Sequence, residues 1–146
     1  TWMQEDVDKG GYFVIIGHCL GFELLGAVVS EDPKALGYYT MNDPIPLNFT
    51  SYGLNSRYMA GANQNVRDIL SSQAVTLNHH ERGFSPAIFK DNAKLGSYFN
   101  VVSTNFDEHG REFVSTIEGK DYPVYALQWH AEKPQFEWTQ DDNIPH

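Results

Sequence analysis

Apolar and polar positions along this chain fall into short blocks with changing period. Tyr12-Phe13-Val14-Ile15-Ile16 is continuously apolar, the pattern of a strand buried on both faces in a parallel sheet. Before it, residues 1–9 read as the end of a helix, which Gly10-Gly11 stops. After it, residues 20–30 keep a helical period that sets Leu24, Leu25 and Val28 on one face. Turn residues then punctuate the chain at Glu31-Asp32-Pro33, Asn42-Asp43-Pro44 and Ser51-Tyr52-Gly53, and the segments Leu36–Met41 and Ile45–Thr50 between them predict strands. Asn65–Ser72 predicts a short helix, and residues 74–84 a polar loop carrying two adjacent histidines. Strands follow at Tyr98–Thr104, Glu112–Ile117 and Tyr122–Trp129, with Glu118-Gly119-Lys120-Asp121 as the turn between the last two. Strands mixed with helices, without a repeat or an internal boundary, predict one α/β layered domain over residues 1–146.

Composition changes this picture little. The chain of 146 residues is long enough for one core, and 41% apolar with 20% charged residues is ordinary for a globular domain. A net charge of −9 argues against nucleic acid or an anionic membrane as partner. No apolar run approaches the ~20 residues of a membrane helix. A single cysteine excludes an internal disulfide and a zinc site built on several thiolates. Thr1-Trp2-Met3-Gln4-Glu5-Asp6 has neither the charged start nor the apolar stretch of a signal peptide. An opening without Met and a loop-like end at residues 141–146 lead to the expectation that the chain is incomplete at both ends.

The lone cysteine is where the chemistry starts. Cys19 stands in Gly17-His18-Cys19-Leu20-Gly21, between the apolar run and the helix. A strand, a tight Gly-X-Cys-X-Gly turn and a helix make a nucleophile elbow, in which Gly17 and Gly21 give clearance to a strained residue. The helix N-terminus then favours a thiolate at Cys19, and the backbone N–H of Leu20 points where an oxyanion forms. A catalytic cysteine needs a base. Of six histidines, His130 is the best placed, since it follows a predicted strand and so reaches the same sheet edge as Cys19. Glu132, two residues on, can fix its tautomer. His-X-Glu is also a fragment of a metal site, but His79 and His80 in an extended chain point to opposite sides, so a third ligand is not readily supplied and no metal or cofactor is expected.

The segments Gly-His-Cys-Leu-Gly-Phe-Glu-Leu-Leu (17–25), Pro-Leu-Asn-Phe-Thr (46–50), Asn-His-His-Glu (78–81), Phe-Asn-Val-Val-Ser-Thr-Asn (99–105), Tyr-Pro-Val-Tyr-Ala-Leu-Gln-Trp-His-Ala-Glu-Lys (122–133) and Phe-Glu-Trp (136–138) together resemble the γ-glutamyl hydrolase family. That family sits in the class I glutamine amidotransferase-like superfamily. The resemblance implies a flavodoxin-like layered sandwich with a mostly parallel central sheet, and a cysteine hydrolase acting on folyl and antifolyl poly-γ-glutamates. Cys19 then matches the nucleophile, His130 the base and Glu132 the third member of the triad. His80 matches a histidine lining the cleft. Glu23, one helical turn past Cys19, matches a position from which a carboxylate could hold the substrate's α-ammonium. The resemblance further implies a second oxyanion donor from an upstream Gly-containing loop, a lysosomal, vacuolar or secreted compartment, and a homodimer as a possible assembly. Asn48-Phe49-Thr50 is a glycosylation acceptor sequence consistent with that compartment. Two positions depart from the pattern. Ala131 stands where a proline is usual, which loosens the loop holding His130 and Glu132. His18 replaces a small residue, and alternation along the strand predicts that it faces away from the site. The competing readings are a non-catalytic γ-glutamyl-binding protein and a glutaminase subunit.

Overall fold

A computed structural model describes residues 2–135; the predicted features at Phe136-Glu137-Trp138 and 141–146 lie outside them. The helices are α1 (Trp2–Asp8), α2 (Leu20–Ser30), α3 (Arg57–Ala60), α4 (Gln64–Ser72), α5 (Ile88–Asp91) and α6 (Ala93–Tyr98). The strands are β1 (Ile15–His18), β2 (Gly37–Met41), β3 (Pro44–Ile45), β4 (Asn48–Phe49), β5 (Thr76–Leu77), β6 (His80–Gly83), β7 (Phe99–Phe106), β8 (Glu112–Gly119) and β9 (Val124–Leu127). Gly10, at φ +84, ends α1 with its N–H on the Val7 carbonyl, the left-handed stop that Gly10-Gly11 predicts. Asn63 caps α4 by accepting from the Val66 N–H. No helix among the described residues is long and apolar enough to cross a membrane.

The main sheet runs β1-β9-β8-β7-β4, with short pairs β2-β6 and β3-β5 beside it. This is the expected α/β architecture, but the main sheet is not mostly parallel. Only β1 and β9 pair parallel; β9-β8, β8-β7 and β7-β4 are antiparallel. The reason is connection length. Residues 107–111 join β7 to β8 and residues 120–123 join β8 to β9. Links this short make hairpins, whereas parallel neighbours need a crossover of about a dozen residues or more.

The first strand also differs from expectation. It starts at Ile15 and forms an edge of the main sheet, so Tyr12, Phe13 and Ile16 are exposed rather than buried on two faces. On α2 the buried stripe is Phe22, Gly26 and Ser30, while Leu24 and Val28 face outward. A Cβ on Gly26 would stand 2.5 Å from the Phe84 ring, so the helix settles onto the core through a glycine. Phe22, Phe84 and Phe89 interlock edge-on there, with centroids 5.8 and 6.2 Å apart. A smaller cluster of Leu47, Leu127 and Trp129 packs with Phe49, Tyr58 and Leu70.

The turn predicted at 118–121 begins two residues later, because β8 runs on to Gly119. Its Glu118 is fully buried. The carboxylate accepts from the backbone N–H groups of Arg57 (3.2 Å) and Tyr58 (2.8 Å) and from the Tyr52 hydroxyl, so the first N–H groups of α3 satisfy it.

Candidate active site

The parallel pair β1-β9 assembles the site. Its register matches Ile15 with Val124 and His18 with Leu127, and the Cys19 N–H extends the ladder by donating to the Leu127 carbonyl at 2.8 Å. The chain then turns abruptly: Cys19 has φ 47, ψ −103 and stands as the cap of α2, whose first bond runs from the Glu23 N–H to the Cys19 carbonyl. This left-handed backbone at a non-glycine residue is the strained elbow that the Gly-X-Cys-X-Gly pattern predicts. Of the two glycines, only Gly17 is required for room. A Cβ there would lie 2.7 Å from the Gly21 backbone and 2.8 Å from the Leu25 side chain, whereas a Cβ on Gly21 would meet open space.

The half-buried Cys19 thiol makes a weak contact to the His79 carbonyl at 3.7 Å. Burial and then the neighbouring Glu23 carboxylate push the thiol up, against the opposing effect of the Leu20 N–H. The Leu20 N–H at the helix start favours the thiolate as expected, while burial and Glu23 work against it.

His130 follows β9 by three residues and is fixed by its backbone, whose N–H donates to the Leu77 carbonyl at 2.8 Å. Its Nδ1 lies 2.7 Å from Glu132 Oε1. The other carboxylate oxygen, Oε2, lies 2.8 Å from Nδ1 of His18. His18 therefore does not face away: at the end of β1 the strand is turning into the elbow, and alternation no longer decides where the side chain goes. Burial raises the Glu132 carboxyl, but the hydrogen bonds from His130, its own backbone and His18 outweigh it and bring the group down to about 2.

Glu23 is half-buried one turn into α2 and accepts from Gln128 Nε2 at 3.1 Å. Burial pushes its carboxyl up, opposed by the Gln128 bond and the Arg82 charge. Gln128 is fully buried, and its Oε1 has no hydrogen-bond partner among the described residues. Gln128 was not among the residues singled out from the sequence, although its place at the end of the strand leading to His130 was a usable signal.

His80 departs most from expectation. Residues 74–84 are not a polar loop: β5 and β6 lie there, and Thr76, Asn78 and His80 are buried. The His80 ring sits between the Tyr39 carbonyl (Nδ1, 2.8 Å) and Asn78 Oδ1 (Nε2, 3.2 Å), edge-on to Phe113. Both ring nitrogens are thus occupied by the protein. Burial is the main cause that lowers its pKa to about 4, and the nearby His130 and His79 add to it. In the unfolded chain such a residue takes up a proton near 6.5, so the folded state loses stability as pH falls from 6.5 to 4, about 3 kcal/mol in all. In urea titrations, the stability advantage of the wild type over His80→Gln should shrink by about that amount between pH 7 and pH 4. An unchanged difference would remove His80 as the cause.

Asn48 is exposed on β4, while the Thr50 hydroxyl donates to the Val101 and Val102 carbonyls.

The α/β domain thus brings a strained cysteine and a histidine–carboxylate pair to one sheet edge, the groups that nucleophilic acyl-transfer chemistry requires. Along nearly its whole length the chain is similar in sequence to γ-glutamyl hydrolases. It is 40% identical over 139 residues to gamma-glutamyl hydrolase B of Dictyostelium discoideum, covering 94% of this chain and 40% of that protein. It is 39% identical over 146 residues to gamma-glutamyl hydrolase of Rattus norvegicus (100% and 46%), and 40% identical over 143 residues to that of Homo sapiens (97% and 44%). The chain thus spans less than half the length of these curated relatives. No family model matches it. A solved structure described as a GMP synthase subunit from Thermoplasma acidophilum aligns with TM-score 0.47 at 14% identity, covering 94% of this chain and 60% of that one.

Proposed function

We propose that the protein carrying this chain hydrolyses γ-glutamyl bonds of folyl and antifolyl poly-γ-glutamates, with Cys19 as nucleophile and a glutamyl thioester as intermediate. The observation that carries the reading is the strained Cys19 elbow, set by the β1-β9 pair beside the His130–Glu132 bond, in a chain about 40% identical to γ-glutamyl hydrolases. Because burial and Glu23 hold the thiol up, its proton passes to His130 as sulfur attacks the γ-carbonyl carbon. The Leu20 N–H stabilises the oxyanion. The His130 imidazolium then protonates the departing amine as the C–N bond breaks. Water, losing a proton to neutral His130, attacks the thioester and restores the thiol. Glu132 holds the imidazole with Nδ1 engaged, leaving Nε2 for these transfers.

Glu23, steadied by Gln128 and with the Arg82 charge nearby, is the contact for the α-nitrogen of the substrate glutamate, whose N–H it accepts. His80 acts from behind the site, as a buried wall near His130. A lysosomal, vacuolar or secreted location, a glycan on Asn48 and a homodimer go with this reading.

Product analysis tests it. Incubated with a pteroyl poly-γ-glutamate, the protein should release glutamate or shorter glutamate chains and leave free glutamine intact. Preferred turnover of glutamine would identify a glutaminase, and binding of the polyglutamate without release a non-catalytic protein.

A further inference from the structure

We propose that His18 is a positioning residue of this site, clamping Glu132 so that its carboxylate stays aimed at His130. The proposal rests on the hydrolase reading above. Glu132 is poorly held by its own surroundings: its side chain is 47% exposed, beyond the end of β9. Ordering such a long side chain costs rotamer entropy. The bonds from His130 and from its own backbone both arise in the segment after β9, so they leave the carboxylate free to move with that segment.

His18 removes this freedom. It lies on β1, with its backbone registered against Leu127, and its side chain is only 30% exposed. Its Nδ1 engages Oε2 at 2.8 Å while His130 Nδ1 engages Oε1 at 2.7 Å. A carboxylate has about four acceptor positions, so it can serve both imidazoles at once. The two histidines come from neighbouring strand ends, and fixing both oxygens fixes the plane of the group. His18 is also one peptide bond from Cys19, so the elbow that sets the nucleophile sets the clamp on the orienting carboxylate as well.

The test is a double-mutant cycle in the protein carrying this chain, read by steady-state kinetics on a pteroyl poly-γ-glutamate. His18→Ala should lower kcat about tenfold while KM stays within about twofold, since substrate contacts are untouched. His18→Asn should recover kcat to within about threefold of wild type, because its amide N–H can reach the place of Nδ1–H. In the Glu132→Gln background, His18→Ala should change kcat by less than about twofold, as the group it acts through is already lost. His18→Leu, which keeps bulk without a donor, replaces His18→Ala if the latter unfolds. A wild-type kcat in the donor-less variant, a loss carried by KM, or an equal loss in the Glu132→Gln background would overturn the clamp. The hydrolase reading fails separately, if Cys19→Ala keeps hydrolysing; a dead Cys19→Ala with a fully active His18→Ala sinks the clamp alone.

Discussion

Under the proposed function, Cys19→Ala is expected to abolish hydrolysis of poly-γ-glutamates, with a loss on the order of 10⁴-fold or more in kcat/KM. The alanine has no atom to form the acyl bond, and no second cysteine can replace it, since the chain has one. Substrate should still bind, because Glu23, Gln128 and Arg82 are untouched, so KM or a measured Kd moves little. The fold should survive as well, since the left-handed turn is fixed by the Cys19 backbone bonds to Leu127 and Glu23 and not by the thiol. Iodoacetamide should inactivate the wild type more slowly than an enzyme with a preformed thiolate, because burial and Glu23 keep this thiol protonated near neutral pH. Wild-type-like release of glutamate by the alanine variant would end the thioester mechanism.

Glu132→Gln should lower kcat by about 10³–10⁴-fold with little change in KM. A glutamine side chain has one acceptor oxygen, so it cannot take both imidazole N–H groups, and its NH₂ turned toward His130 would favour the wrong tautomer. The amide also removes the charge that stabilises the imidazolium formed during attack. The pH dependence has a definite sign. With its carboxyl near 2, Glu132 remains ionised throughout the acidic range in which an ordinary carboxylate of 4.5 would be protonated. Its contribution to stability is present in full above 4.5 and fades only as pH falls toward 2. Loss of activity between pH 6 and pH 4 therefore does not arise from Glu132, and the acid limb of the kcat profile should not carry its titration. A glutamine variant within about tenfold of wild type would remove Glu132 from the machinery.

Several features were legible without coordinates because they rest on local rules. The elbow needs a strand, small neighbours and a helix start, and all of these lie within residues 12–30. The glycine stop after α1 and the helix at Gln64–Ser72 follow from backbone conformation and capping. Even the antiparallel β8-β9 pairing was implicit in the short turn between two predicted strands, although the family pattern suggested a parallel sheet. The buried face of α2 was not legible. Apolar residues surround that helix, and the side that packs was chosen by Gly26 closing onto Phe84, 58 positions away.

The sequence by itself determined which groups can do chemistry: one cysteine in a strained turn, and a histidine with a carboxylate two residues on. These follow from residue type and short spacing, which the chain carries wherever it folds. Only the tertiary structure decided their surroundings. Parallel pairing of two strands more than a hundred residues apart put the Cys19 N–H on the Leu127 carbonyl, three residues before His130, and brought His18 onto the second oxygen of Glu132. Burial pushes the Cys19 thiol up, against the pull of the helix N-terminus, and makes the expected loop histidine an interior one. Desolvation and carboxylate geometry depend on what the rest of the chain places nearby, and local spacing holds no record of that.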